Sequence, residues 1–186
     1  MIYPIIAYGL PVLKKKARAL EKDEIDVQKL KEDMYETMYY AQGVGLAAPQ
    51  IGLDIRVFVI DASPMTEDEP DAVAIKKIFI NPEKIEEEGK EWSFEEGCLS
   101  IPGIREQINR QEKIRLKYFD ENWEEHEEEF TGIIARIIQH EYDHLEGVLF
   151  TDKLSPFKKR LLKSKLNNIV KGKVDVDYKM KFATKK

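Results

Sequence analysis

Apolar residues recur every three or four positions near the start of the chain, which is the spacing of one face of a helix. They are Val27, Leu30, Met34, Met38 and Ala41. Asp26 precedes them and offers a side-chain oxygen that can cap the first turn, and Gly43 ends the pattern. The pattern therefore predicts a first helix over residues 26–42.

Short segments with the composition or the alternation of β-strands follow this helix. They are Arg56–Asp61, Lys77–Asn81, Lys113–Phe119 and Trp123–Phe130. The last two are separated by the turn-like residues 120–122, so we expect them to pair antiparallel. The acidic segment Ser63–Ala72, which holds two prolines, separates the first two and is predicted to be an exposed loop.

The apolar period returns to that of a helix after Thr131. Thr131 is a candidate cap and Gly147 a stop signal, so we predict a helix between them. A last helix is predicted over about residues 155–170, with a basic face beside an apolar stripe. The stripe consists of Leu161, Leu162, Leu166 and Ile169. A helix, several strands and two further helices indicate an α+β fold.

Composition narrows the class of protein. The net charge of -5 gives no support to a nucleic-acid-binding protein, which would need a basic surface. One cysteine cannot form an internal disulfide, and no apolar run reaches the ~20 residues of a membrane span. The first residues lack the basic leader and cleavage pattern of a secretion signal. We therefore expect a cytoplasmic protein that binds neither nucleic acid nor membrane.

The sequence QHEYDH, residues 139–144, carries the clearest chemistry. His140 and His144 are four residues apart on a predicted helix, so both rings project from the same face. Two imidazoles at this spacing can bind one metal ion, and Glu141 can act as a general base toward water on that ion. Two incidental histidines on a surface helix are the alternative, but the HExxH pattern favours a metal site. The third histidine, His126, lies in a run of glutamates and is not expected to be functional.

A catalytic metal site normally has three protein ligands, so a third one is required. No glutamate occurs after Glu146, and Phe150 stands where a third histidine would continue the motif. Three acids remain downstream, Asp152, Asp175 and Asp177. Upstream, Cys98 in SFEEGCLSIPG is the obvious soft ligand, just before a predicted Ser-Ile-Pro-Gly turn. A lone cysteine is more often a small buried apolar residue, so the pattern alone leaves both interpretations open.

The loop GVGLAAPQIG, residues 43–52, combines small side chains with one amide, that of Gln50. It is not a phosphate-binding loop, because no Gly-Lys-Ser/Thr follows. Small residues allow another backbone, such as that of a peptide, to pass close by. A tight structural turn is an equally good interpretation of the loop on its own.

Taken together, GVGLAAPQIG, EGCLS and QHEYDH resemble, in order and spacing, the three signature motifs of the peptide deformylases. These enzymes remove the formyl group from the N-terminal formyl-methionine of new bacterial or organellar polypeptides. The resemblance implies one catalytic domain over residues 1–186, with a tail from about residue 172 that is extended or flexible. It also implies antiparallel strands packed around a central metal-binding HExxH helix, between an N-terminal and a C-terminal helix.

The resemblance implies a ferrous ion, Fe2+, which Zn2+ or Ni2+ can replace. The implied ligands are Cys98, His140 and His144. Glu141 is then the general acid and base of the reaction. The side-chain amide of Gln50 and the backbone N–H of Leu99 are the implied donors to the formyl oxygen.

The resemblance further implies that the backbone of Val44 and Gly45 pairs with the substrate as a β-strand would. Ile133 and Ile137, on the side of His140, are expected to line a pocket for the substrate's methionine, although ordinary core packing would explain each of them. Arg136 lies in the same stretch, where it either reaches solvent or shapes the rim of the pocket.

One further pairing is expected beside the ligands, between Asp143 and Arg110. The expected partners are N-formyl-methionyl peptides and nascent chains, with the ribosome as a candidate, and the expected state is a monomer. An HExxH-type metallopeptidase that cleaves internal peptide bonds is the alternative enzyme. A catalytically inactive relative that binds peptides is the non-enzyme alternative.

Overall fold

Two long antiparallel strands form the largest part of the sheet. They are β4 (Lys76–Cys98) and β5 (Ile101–Phe119), and several register shifts interrupt their pairing. A two-residue turn at positions 99–100 joins them, and Cys98 pairs with Ile101 across it. The turn therefore places the cysteine at the end of the hairpin. The computed structural model describes residues 1–66 and 75–183.

The described strands form one five-stranded antiparallel sheet and one small parallel pair. The sheet also contains β2 (Gly45–Ala47), β3 (Val57–Asp61) and β6 (Glu125–Thr131). Its order is β2-β3-β4-β5-β6, so β2 and β6 are its edges. The small pair joins β1 (Ile5–Ile6) to β7 (Met180–Lys181), which lie near opposite ends of the chain.

Four α-helices accompany the sheet in the described part of the chain. They are α1 (Val27–Tyr40), the single turn α2 (Ser63–Thr66), α3 (Gly132–Leu145) and α4 (Pro156–Val170). The Asp26 side chain accepts a hydrogen bond of 2.9 Å from the Lys29 N–H, which caps α1 as predicted. Short 3-10 turns occupy Pro11–Lys14, Ala48–Ile51 and Phe150–Lys153.

Strand β3 is buried along its whole length because helices cover both faces of the sheet. On one face, Val57 and Val59 pack in a cluster with Met34 of α1. On the other, Phe58 packs in a cluster with Ile138 of α3. The continuous apolar run in the sequence is therefore a strand enclosed on two sides.

Stacked aromatic rings fill the α3 side of the sheet. Phe79 is central, with its ring centroid 4.6 Å from that of Phe58 and 4.4 Å from that of Tyr118. Phe130 meets the same ring edge-on at 5.7 Å. This cluster supports α3, the helix that carries QHEYDH, against the middle of the sheet.

The predicted α+β fold with antiparallel strands is confirmed, but several boundaries and one turn were wrong. Segments 77–81 and 113–119 are parts of β4 and β5, which extend much further. Residues 101–103, expected in a turn, lie in β5, and the turn is at 99–100. The side chain of Thr131 makes no capping hydrogen bond to α3, although the helix begins directly after it.

Two further expectations also need correction. Leu161 of α4 was placed in the buried stripe but is 64% exposed, whereas Leu162 and Ile169 are buried. Within the predicted acidic loop, Ser63–Thr66 form α2, and residues 67–72 lie outside the described residues. No described helix combines the length and apolar character needed to span a membrane.

We expect Phe79→Ala to lower the free energy of unfolding by about 3–5 kcal/mol, because the change leaves a cavity among three aromatic rings. Ile85→Ala, at a 46% exposed position on the same strand, is the matched control and is expected to cost less than about 1 kcal/mol. Urea denaturation followed by circular dichroism measures both. Equal losses in the two variants would show that this aromatic cluster is not a main source of stability.

Candidate metal centre and cleft

Three candidate metal ligands come together from separate parts of the fold. Cys98 ends β4, and His140 and His144 lie on successive turns of α3. One ligand atom from each residue lies within 4.8 Å of the other two. The Cys98 Sγ is 3.4 Å from the His144 Nε2. A thiolate and two imidazoles are donors that suit iron, zinc or nickel, so the chemistry of this group fits a metal ion.

The protonation of His144 also fits metal binding. Its ring is fully enclosed, and its Nδ1 has no hydrogen-bond partner among the described residues. Burial, which disfavours the charged form of the ring, holds the pKa of His144 well below its usual value, and the charge of Arg110 acts in the same direction. The ring is therefore neutral at physiological pH and has a lone pair to offer a metal.

Glu96 fixes the orientation of His140. Its carboxylate accepts a hydrogen bond of 3.0 Å from the His140 Nδ1, which leaves the Nε2 for the metal. Arg110 donates to both oxygens of the same carboxylate, at 2.7 and 2.9 Å. Burial opposes ionisation of Glu96, but these bonds outweigh it and lower the pKa of the carboxyl. Arg110 also donates to Asp143 at 2.7 Å, which confirms the expected pairing.

Arg136 is the second arginine on this carboxylate. Its Nη1 donates to Glu96 at 2.8 Å and to the Ile108 carbonyl at 3.0 Å. The guanidinium lies over the Trp92 ring, 4.2 Å from its centroid. Arg136 is only 2% exposed. It therefore does not reach out to solvent but forms a buried, charged part of the cleft wall.

Glu141 is a buried carboxyl next to the candidate ligands. Burial raises its pKa to about 7, while the charges of His140 and Arg110 act in the opposite direction. Its Oε2 has no hydrogen-bond partner among the described residues. A Cβ added to Gly45 would lie 2.4 Å from the Glu141 Oε1, so only glycine leaves room for the carboxyl there. The arrangement provides a group that can accept and release a proton near neutral pH.

Gln50 is held with its amide nitrogen toward the candidate metal centre. Its Oε1 accepts a hydrogen bond of 2.8 Å from the Ala47 N–H, which fixes the orientation of the amide. Its Nε2 lies 3.4 Å from both the Cys98 Sγ and the Ser100 Oγ. The amide is therefore a preorganised donor at the bottom of the cleft.

The cleft itself has a volume of about 860 Å³ and brings most of the predicted site residues together. The predicted residues on its wall, besides the polar ones above, are Val44, Gly45, Leu99, Ile133 and Ile137. His144 lies behind this surface and is not part of the wall. Gly45 begins the edge strand β2, and Val44 directly precedes it, with a carbonyl that accepts a hydrogen bond of 2.9 Å from the Asp61 N–H of β3.

Sequence reasoning missed two residues of the site. Glu96, two positions before the cysteine, looked like one of many surface acids, and only its place beside a candidate ligand could have singled it out. Tyr178, whose hydroxyl donates to the Leu99 carbonyl at 2.8 Å, had no signal at all in the sequence.

A second group of potential ligand atoms lies at the β5–β6 turn, formed by Asp120, Glu124 and His126. Asp120 already accepts hydrogen bonds from the N–H groups of Asn122 and Glu124 and from the His126 ring. These bonds account for the cluster as turn structure, in line with the expectation for His126.

Comparison with known proteins identifies relatives along the whole chain. The sequence model of the polypeptide deformylase family matches residues 2–160. A peptide deformylase of Christiangramia forsetii is 58% identical over 193 aligned residues, which cover 100% of this chain and 98% of the relative. One of Cytophaga hutchinsonii is 59% identical over the full length of both chains. The crystal structure of a peptide deformylase from Legionella pneumophila superposes with a TM-score of 0.80, at 38% identity, covering 93% of this chain and 98% of that one. The chain therefore belongs to the peptide deformylase family of enzymes.

Proposed function

We propose that the protein removes the formyl group from the N-terminal formyl-methionine of newly made polypeptides and releases formate. Family membership supports this reaction. The observation that carries it for this chain is the convergence of Cys98, His140 and His144 beside the buried Glu141 at one cleft. The expectations of one domain, of antiparallel strands arranged around a central HExxH helix, of a cytoplasmic monomer and of contact with the ribosome stay predictions.

Cys98, His140 and His144 are the proposed ligands of one Fe2+ ion, and the same donors would accept Zn2+ or Ni2+. When bound, the ion supplies a Lewis acid that activates water for attack on the formyl carbon. Glu96 holds the His140 ring in the required orientation, and the amide of Gln50 contacts the cysteine sulfur. Hydrogen bonds would therefore restrain the positions of two of the three proposed ligands.

Glu141 is the proposed proton-transfer group. In this proposal its carboxylate takes a proton from the attacking water and then gives one to the nitrogen of the leaving peptide. Its burial and its raised pKa suit both steps, since the two protonation states are close in free energy near neutral pH. Gly45 leaves the space that this carboxyl occupies.

The Gln50 amide and the Leu99 N–H are the proposed donors to the formyl oxygen. Negative charge develops on that oxygen as the carbonyl carbon is attacked, and donors fixed beforehand stabilise it without reorganisation. Gln50 meets this requirement because the Ala47 N–H holds its carbonyl oxygen. The 99–100 turn presents Leu99 at the wall of the same cleft.

The substrate backbone is proposed to extend the sheet at the free edge of β2, beside Val44 and Gly45. The methionine side chain would then enter the apolar part of the cleft, which Ile133 and Ile137 of α3 line together with Phe94 of β4. Arg136 borders this region with its charge neutralised by Glu96, so the wall remains suitable for an apolar side chain.

The metallopeptidase alternative has weaker support. Its usual third ligand comes from downstream of the helix, but Asp152 is engaged with Lys14 and with the Leu149 N–H. In the described part of the chain, the third donor near the two histidines is Cys98.

We expect Glu141→Gln to retain the metal and to lower kcat about 1,000-fold, because the amide cannot transfer the proton. Cys98→Ala is expected to lose both metal and activity. Formate release from formyl-Met-Ala-Ser by anaerobically prepared, iron-loaded protein measures turnover, and elemental analysis measures metal.

Glu146→Gln, just beyond the same helix and outside the cleft, is the control and should retain turnover. Casein cleavage without formate release by the unaltered protein would contradict the proposed reaction and favour the metallopeptidase.

We expect Gly45→Ala to lower kcat by about 100-fold, because the new methyl group displaces the Glu141 carboxyl from its position. Metal content should be unchanged, because the three heavy atoms nearest to the added Cβ all belong to Glu141 and none belongs to a proposed ligand. The same formate assay and elemental analysis apply. Full activity of this variant would show that the Glu141 position is not critical for turnover.

A further inference from the structure

The turn at residues 99–100 is held by both ends of the chain. The Tyr178 hydroxyl donates to the Leu99 carbonyl at 2.8 Å, and the Tyr8 N–H donates to the Ser100 carbonyl at 2.9 Å. The two successive peptide groups of the turn are therefore fixed independently. On the cleft side of the same turn, Leu99 is the residue whose N–H is the proposed donor to the formyl oxygen.

Tyr178 belongs to a segment that we call the C-terminal strap, residues 173–182. The strap is anchored on β1, where Ile5 pairs with Met180 and the Ile5 N–H donates to the Lys179 carbonyl at 2.8 Å. Its Phe182 ring lies against Gly172, so that an added Cβ there would be 3.3 Å from the ring. These anchors, at residues 179–182, hold the strap directly after Tyr178 against the rest of the fold.

The C-terminal strap also forms part of the cleft wall, through Val176, Asp177 and Tyr178. The sequence model of the family ends at residue 160, so this wall lies outside the region that the model matches.

A hydrogen bond to the Leu99 carbonyl also restrains the direction of the N–H group of the same residue. Cys98 is fixed on one side of Leu99 by pairing with Ile101, and Tyr178 fixes the carbonyl on the other side. Rotation of the Leu99 backbone is then restricted, which sets the direction of its N–H. The stabilisation that an oxyanion donor provides depends on a distance of about 2.7–3.1 Å, so small displacements of this N–H are costly.

We propose that Tyr178 is a positioning residue for deformylation: its hydroxyl holds the Leu99 carbonyl and thereby directs the Leu99 N–H to the place of the formyl oxygen. This inference rests on the proposed function. In this proposal Tyr178 acts through the Leu99 backbone rather than on the reacting atoms. Loss of the hydroxyl should therefore affect the transition state more than the binding of a peptide without a formyl group.

The test compares Tyr178→Phe with Tyr8→Phe in the full-length, metal-loaded enzyme. Tyr8 is a matched control because it holds the same turn through its backbone N–H, whereas its hydroxyl has no hydrogen bond among the described residues. The measurements are kcat and KM for formyl-Met-Ala-Ser, the Kd of the product Met-Ala-Ser, and metal content. For Tyr178→Phe we expect kcat to fall about tenfold, with KM and the product Kd within about twofold of the unaltered enzyme. Tyr8→Phe should match the unaltered enzyme.

Three results would overturn the inference. The first is a kcat for Tyr178→Phe within about twofold of the unaltered enzyme. The second is a fall in kcat with an equal loss of product affinity or of metal, which would indicate a purely structural role. The third is an equal effect of Tyr8→Phe. Absence of formate release from the unaltered enzyme would instead remove the proposed function, and this inference with it.

Discussion

The site depends on the interactions of one carboxylate, that of Glu96. It is a buried anion, and burial of an unpaired charge would cost several kcal/mol. Arg110 of β5 and Arg136 of α3 compensate it, and the remaining hydrogen bond goes to His140. One carboxylate thus ties two strands to α3, the helix that carries the proposed histidine ligands. Its position determines where the His140 ring lies relative to the cysteine two residues further along β4.

The sheet supplies the second constraint, since it determines how α3 meets the β4–β5 turn. Helices on both faces enclose β3, and the aromatic cluster around Phe79 supports α3 from below. The two-residue turn then brings Cys98 to the side of α3 that carries both histidines. The candidate metal centre therefore lies at a contact between a helix and a hairpin end. Neither element could provide the three donors alone.

Local patterns predicted α1, the core of β3 and the HExxH helix, because the apolar spacing that identifies each element lies entirely within that one helix or strand. The full length of the β4–β5 hairpin was not predictable in this way. Its segment 83–91 is largely polar and exposed on both sides, so it lacks the apolar alternation of a half-buried strand. The role of Glu96 was missed because a charged residue in a sequence resembles a surface residue until its partners are known. Tyr178 depends on a contact between distant segments that no local pattern encodes.

The pairing of β1 with β7 has a consequence for how the protein is made. These two strands are separated by nearly the whole sequence, and ribosomes synthesise a chain from its N-terminus. The β4–β5 hairpin and α3 can fold together while Met180 and Lys181 are still missing. The C-terminal strap can dock only after them, so this side of the cleft is completed last. A newly synthesised molecule can therefore bring its proposed metal ligands together while its cleft is still open on one side.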